Sequence, residues 1–300
     1  MRVLISGATG LIGTELAKQL KARGDEPVRL VRRAVEVGDR PDSEEIPWNP
    51  SSGYILPGAI ENVDAVINLA GATTGKLPWT KKYERELIDS RLDSTRTLVK
   101  AINEAKKKPK VLVSGSASGF YGDTGTECVL ESAPNGEGFL AELAGKWEAE
   151  AEKASIRTVL VRTTMVCSKK LGALGRLLPM LKAGIAGPLG SGKQWWAWIS
   201  LADEARAILH LIDTDSAVGP FNLTAPQPAT CTEVIQALGK ELGRPTIIPV
   251  PAFALRLAFG KGADELLLCN QNMNPAKLLA TGFKFEHPDL QSMAKYVLSK

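Results

Sequence analysis

Arg2-Val3-Leu4-Ile5-Ser6 runs directly into Gly7-Ala8-Thr9-Gly10-Leu11-Ile12-Gly13. An apolar run, three glycines at intervals of three, and then an amphipathic stretch from Leu11 to Arg23 leave few folds open. The run reads as a buried strand, and the stretch reads as a helix ended by Gly24. In that setting Gly7 permits the tight turn, Gly10 lets backbone approach a pyrophosphate, and Gly13 allows close helix–strand packing. The helix start, with the backbone of Thr9, Leu11 and Ile12, presents free amides and the positive end of the helix dipole to phosphates.

The same alternation continues. Val28–Val31, Asp64–Leu69, Val111–Ser114, Thr158–Arg162 and Pro220–Leu223 read as further strands. Trp79–Lys107 (one or two helices), Phe139–Ala154 and Leu201–Ile212 read as the helices between them. Strands without polar alternation, separated by helices, imply parallel pairing through right-handed crossovers. The expected fold class is α/β: a Rossmann-type doubly wound parallel sheet with its ligand crevice at the carboxyl ends of the strands. The expected division is a dinucleotide-binding domain over 1–165, with a returning segment at about 200–225. Residues 166–199 and 226–300 then form a smaller C-terminal substrate lobe, with helices at Leu177–Ala186, Thr230–Leu242 and around Asn274–Ala280.

The site one turn further along the sheet sets the cofactor type. About 20 residues past the glycine turn, an NAD site places an acid for the ribose 2′-hydroxyl. This chain has Arg32-Arg33 there, and guanidinium groups pair with a 2′-phosphate that a carboxylate would repel. The reading is NADP(H).

Composition removes other classes. Lys and Arg exceed Asp and Glu by only 37 to 33, without clustering, so nothing invokes nucleic acid or a membrane surface as partner. Cys128, Cys167, Cys231 and Cys269 stand far apart with no C-x-x-C and no adjacent histidine, which argues against a metal centre or a disulfide framework. There is no leader-like start and no apolar run of membrane-spanning length, so the chain reads as cytoplasmic. A small-molecule substrate is the expected partner, and a homodimer is left open.

The spacing G-x-x-G-x-x-G, together with Asn68-Leu69-Ala70-Gly71 ending a later strand, resembles the extended short-chain dehydrogenase/reductases. The resemblance narrows to their atypical, epimerase-like branch, family 39U and its bacterial relatives. It rests on Ser90-Arg91 with Thr95, Ser116–Asp123, Phe139-Leu140-Ala141 with Trp147-Glu148, Gly187–Ile199, Pro249–Phe253 and Asn274–Phe285. It implies an NADP(H)-dependent oxidoreductase or epimerase-type enzyme acting on a small carbonyl or hydroxyl compound, sugar-like compounds included. The alternative is a non-catalytic NADP(H)-binding regulatory or redox-sensing protein. The resemblance also implies cofactor contacts from Leu69, Ala70 and Gly71 by backbone, from Arg91 and Ser114, and from Arg162, Thr163, Thr164 and Val166 beside the nicotinamide.

The wider superfamily uses a Tyr-x-x-x-Lys pair with a serine: lysine lowers the tyrosine pKa, tyrosine exchanges the proton, and serine orients the carbonyl. Here Lys146 suits the lysine role, but Glu142 stands four residues before it. Ser116 occupies the serine region, and Tyr121 is a candidate substitute acid or a packing residue. Gly187–Lys193 nearly spells a phosphate-binding loop, but Gln194 replaces the metal-binding hydroxyl and no strand precedes it, so that reading is rejected. Trp195, Trp196 and Trp198 would form either an apolar wall for a substrate ring or the core of the second lobe. Lys169-Lys170 and Arg176 are the one basic group available to a nucleotide-sugar diphosphate.

Overall fold

A computed structural model describes residues 1–169 and 172–299. Lys170, and the side chain of Arg176, lie outside the described residues. Strand β1 (Arg2–Ser6) leads through the glycine turn into helix α1 (Leu11–Ala22) and strand β2 (Glu26–Val31). Next come β3 (Glu45–Asn49), the two-residue β4 (Tyr54–Ile55) and β5 (Ala65–Asn68). Helix α2 (Lys81–Glu104) is a single long helix, capped by the Thr80 side chain, and leads to β6 (Val111–Ala117). Helix α3 (Phe139–Ala151) and β7 (Arg157–Thr163) follow. After the short strands β8 (Met165–Cys167) and β9 (Trp198–Ser200), helix α5 (Leu201–Asp213) returns the chain to the sheet as β10 (Gly219–Leu223); helix α4 (Gly172–Lys182) lies between β8 and β9.

The sheet order is β10-β7-β6-β5-β1-β2-β3-β4, and every pairing is parallel except β3 with β4. The expected doubly wound sheet is therefore present, with its order reversing beside β1. On one face Val3, Ile5, Val113, Val159 and Val161 pack against α1 and α5. On the other, Leu4, Val28, Val66 and Leu112 pack against α2. Strand β3 escapes the sequence reading because it carries Pro47, which removes a ladder donor and reads as a breaker. It is tolerated next to the end of the sheet, where β4 contributes only two residues.

The second lobe has its own core. Leu174, Leu178 and Leu181 of α4 meet Trp196, Trp198 and helices α6 (Cys231–Leu242) and α10 (Leu290–Leu298). Trp196 and Trp198 are buried and only Trp195 is partly exposed, so the three indoles do not form one apolar wall. Helix α7 (Ala252–Phe259), the short α8 (Lys261–Ala263) and the turn Asp264–Leu268 follow, and the short α9 (Ala276–Ala280) packs through Leu278 with the sheet core. The turn carries Glu265, whose carboxylate accepts from the Phe139 and Leu140 amides at 3.0 and 3.1 Å. The lobe thereby caps α3, which has no side-chain cap of its own. No helix among the described residues is long and apolar enough to cross a membrane.

The glycine turn is held by contact distance. A Cβ built on Gly13 would lie 2.3 Å from the Gly7 carbonyl oxygen and 2.7 Å from Ala8 Cα. Gly13→Ala is therefore expected to destabilise the protein by about 1–3 kcal/mol, the usual cost of overpacking. Chemical unfolding of the variant checks this; an unchanged midpoint would mean that α1 can shift freely.

Candidate active site

Gly7 has φ +71°, a left-handed conformation, and its absent Cβ would sit 2.6 Å from the Leu69 carbonyl oxygen. The turn after β1 and the segment after β5 thus touch backbone to backbone. The Ser6 hydroxyl donates to Asn68 Oδ1 at 2.6 Å and accepts from the Leu69 and Ala70 amides at 3.2 Å. Asn68 donates onward to the Thr95 hydroxyl at 2.8 Å, which also accepts from the Trp147 indole at 2.9 Å. One buried polar chain therefore ties β1, β5, α2 and α3 together beneath the switch point.

Above it, the start of α1 is open. Gly10 is its N-cap, with no side-chain cap and no acid in the first turn, whereas α2, α5, α6 and α10 are all capped by their own Thr, Ser or Asp. Uncapped amides on a glycine cradle suit a phosphate. Past β2, Arg32 and Arg33 line an open depression of about 610 Å³ with Trp48, Asn49, Ser52 and Tyr54. Arg33 already grips Asp39 through two bonds of 2.8 and 2.5 Å, which holds Asp39 down to about 2. Arg32 is exposed and has no carboxylate partner among the described residues.

Arg91 lies against Gly71 and 5.3 Å from the Trp147 ring. Its Nη1 donates to the carbonyls of Ala72 and Leu87 at 3.1 and 3.0 Å. Among the described residues it pairs with no acid, and burial lowers it to about 10. A cation held this way, beside the switch point, is suited to an anion.

The proposed catalytic residues fare differently. Ser116, the next-to-last residue of β6, donates to Glu148 Oε1 at 2.5 Å. Glu148 also takes two bonds from Arg162, at 2.8 and 2.9 Å, inside the protein. The remaining Arg162 amine donates to the Tyr121 hydroxyl at 2.7 Å and the Glu131 carbonyl at 3.1 Å, with the guanidinium 3.5 Å from the Phe120 ring centroid. Burial works to lower Arg162, but its bonds to Glu148 and the charge of that carboxylate outweigh it and hold it above its ordinary value. Arg162, expected beside the nicotinamide, faces inward from β7, where Glu148 supplies the counter-charge that a buried arginine needs.

Tyr121 is buried as well. Its hydroxyl donates to Asn222 Oδ1 at 2.7 Å while accepting from Arg162, and burial raises its pKa. The tyrosine is a member of an internal network rather than an acid aimed at the crevice. Lys146 lies on the outer face of α3, 3.8 Å from Glu142 and largely exposed, because the inward positions of that helix are Ala144, Trp147 and Glu148. It does not join Ser116. Ser114 is fully buried within β6. Thr164 donates to the Leu223 carbonyl at 2.8 Å, and Val166 lies partly buried in β8.

Thr163, the last residue of β7, donates to Glu204 Oε1 at 2.6 Å. Glu204, in the first turn of α5, is fully buried, and its Oε2 has no partner. Burial pushes Glu204 up to about 8, opposed by the bond from Thr163. Neither Glu148 nor Glu204 stood out as a site residue in sequence, since a helical glutamate is ordinarily solvated. The signals present were the flanking apolar residues, Trp147 and Ala205, and the place of Trp147-Glu148 among the segments that carry the family resemblance.

A glycine cradle at an uncapped helix start, at the switch point of a parallel doubly wound sheet, defines a Rossmann-type dinucleotide-binding protein of short-chain dehydrogenase/reductase build. The chain belongs to the NAD dependent epimerase/dehydratase family, whose sequence pattern matches residues 3–223. Residues 250–297 match a domain of unknown function, DUF1731. An epimerase family protein of Mycobacterium leprae is 39% identical over 99% of this chain and 96% of its own. Human epimerase family protein SDR39U1 is 37% identical over the full length of both chains. The crystal structure of human SDR39U1 (isoform 2) with NADPH superposes with a TM-score of 0.90, at 34% identity over 99% of each chain. The resemblance to the epimerase-like branch is thus confirmed.

Glu204 has a consequence for stability. Its ordinary value is 4.5, so between about pH 4.5 and 8 the unfolded chain has lost a proton that the folded chain keeps. This group's contribution to stability therefore falls as pH rises through that window, by up to about 1.4 kcal/mol per unit, and levels off above it. Glu204→Gln is expected to gain stability over the native protein progressively from pH 5 to 8. Urea unfolding across that range checks it; a constant difference would mean that Glu204 is ionised throughout.

Proposed function

We propose that the chain is an NADP(H)-dependent oxidoreductase or epimerase-type enzyme acting on a small carbonyl or hydroxyl compound. The observation that carries the cofactor half is the pairing of an uncapped glycine cradle with an unpaired Arg32 at the end of β2. The NADPH in the human relative's crystal structure supports it. The residues that would hold the cofactor are the α1 amides for the pyrophosphate and Arg32, assisted by Arg33, for the 2′-phosphate. Arg91 would supply charge near Gly71, and the backbone of Leu69–Gly71 and Thr163–Val166 the remaining walls. When bound, the nicotinamide supplies a hydride donor or acceptor.

The chain's own residues handle the proton. Ser116 commits its one hydroxyl proton to Glu148, so toward a substrate hydroxyl it acts as an acceptor. In the oxidative direction the substrate's proton moves to Ser116 Oγ as the serine's proton moves to Glu148. Reduction reverses both transfers. On this reading a Ser–Glu pair takes over the proton transfer that a Tyr–Lys pair performs in the wider superfamily. The lobe formed by residues 166–199 and 226–300 would cover the substrate side.

A second reading, a non-catalytic NADP(H)-binding protein, is favoured by the occupied Tyr121 hydroxyl and the outward Lys146. Two measurements test these readings. NADPH is expected to raise the melting temperature more than NADH at equal concentration, and Arg32→Glu to erase the difference; equal shifts in the native protein would remove the NADP assignment. In single-turnover oxidation of bound NADPH against a panel of small carbonyl compounds, Ser116→Ala is expected to slow the reaction by about 10²–10⁴-fold. A native rate retained by Ser116→Ala removes the Ser–Glu pair, and no oxidation with any compound supports the second reading.

A further inference from the structure

Of the buried carboxylates among the described residues, Glu148 pairs with Arg162, Asp203 with Arg206, and Glu131 accepts from the Asn222 amide. Among the described residues, only Glu204 has a fully buried carboxylate oxygen with no hydrogen-bond partner, and it forms no ion pair. Its single bond runs to Thr163, where β7 ends and the chain turns into the segment 163–166 beside the crevice. Ala205, Ala207 and Ile208, which follow Glu204 on α5, belong with Val161 of β7 to the apolar core on this face of the sheet.

The charged neighbours on the packed elements have their own partners: on β7, Arg162 pairs with Glu148, and Arg157 donates to the carbonyls of Leu211, Ile212, Thr214 and Ala217. On α5, Asp203 accepts from Arg206 and from the His287 and Glu286 amides, Arg206 also reaches Glu286, and Ser200 bonds the His287 ring. On α1, Glu15 is 3.6 Å from Lys18. On β8, Cys167 is buried and its thiol is pushed upward, out of the neutral range. Of all these groups none acts on Glu204; burial and the Thr163 hydroxyl are its only influences.

NADP⁺ and NADPH share their phosphates and riboses and differ in charge only at the ring. A site can therefore tell them apart electrostatically only through charge near the nicotinamide, and an apolar surrounding screens such a charge weakly. We propose that Glu204 sets the preference of this site for the redox state of its cofactor: as a neutral acid it favours the uncharged reduced ring, and as a carboxylate it favours the cationic oxidised ring. The proposal rests on the reading of the crevice as an NADP(H) site. It is reciprocal: NADP⁺ draws the proton off Glu204 by the same factor by which the ionised acid tightens NADP⁺.

The test is a pair of dissociation constants, for NADP⁺ and for NADPH, measured by titration calorimetry from pH 7 to 9 in the native protein and in Glu204→Gln. In the native protein the ratio Kd(NADP⁺)/Kd(NADPH) is expected to fall by about fivefold or more over that range, and in the variant to stay constant. NADP⁺ binding near pH 8, compared in buffers of different ionisation enthalpy, should release a proton from the native protein, a readout that stands even if the variant folds poorly. A flat ratio in the native protein, an equal fall in the variant, or binding without proton release overturns the Glu204 assignment and leaves the cofactor site standing. Failure of both cofactors to bind overturns the cofactor reading and this proposal with it.

Discussion

The backbone of Gly7 touches the backbone of Leu69, and the rest of the site depends on that contact. Any side chain at Gly7 would collide with the Leu69 carbonyl, and any at Gly13 would collide with Gly7 itself. Strand β1, helix α1 and the end of β5 are therefore locked at one distance. That lock opens the α1 amides toward the crevice and presses Leu69–Gly71 along its edge. The Ser6–Asn68–Thr95–Trp147 chain extends it through the sheet to α2 and α3, in a dry interior where an unmade hydrogen bond is expensive.

A second buried polar assembly organises the other end of the crevice. Arg162 is enclosed by Glu148, Tyr121, Phe120 and the Glu131 carbonyl, and Asn222 on β10 closes the group. Asn222 in turn donates to the Asn274 carbonyl, so strand β10 and the C-terminal lobe meet through the same network that positions Ser116. Removing one member would strand a buried charge, which gives Glu148 and Arg162 a structural role alongside any chemical one. Glu265, capping α3 from the lobe, adds a second tie between the two halves.

The sheet was legible because its strands are continuous apolar runs and its helices are amphipathic stretches between them, and both signals are local. Strand β3 was hidden by Pro47, and α10 by its shortness despite the Asp289–Ser292 capping box. The proposed cofactor half of the site was legible for the same reason: Gly7–Gly13 and Arg32 would act through backbone geometry and charge at short sequence separation. The catalytic half was not. Lys146 matched a familiar residue type, yet the 3.6-residue period turns it outward and turns Glu148 inward. Tyr121 and Arg162 bond each other, and their remaining polar groups are satisfied by Asn222 on β10 and by Glu148 on α3.

By itself the sequence determined the α/β class, the doubly wound parallel sheet, the glycine turn before α1 and the two arginines just past β2. Each of these follows from residue types within about one helical turn or one strand of each other. Which acids are buried, which hydroxyl keeps a free lone pair, and which arginine keeps a free charge were decided by the tertiary structure alone. Burial and pairing of polar groups depend on partners brought together from across the chain. Glu148 with Ser116, and Glu204 with Thr163, acquire their chemistry only when helix and strand meet.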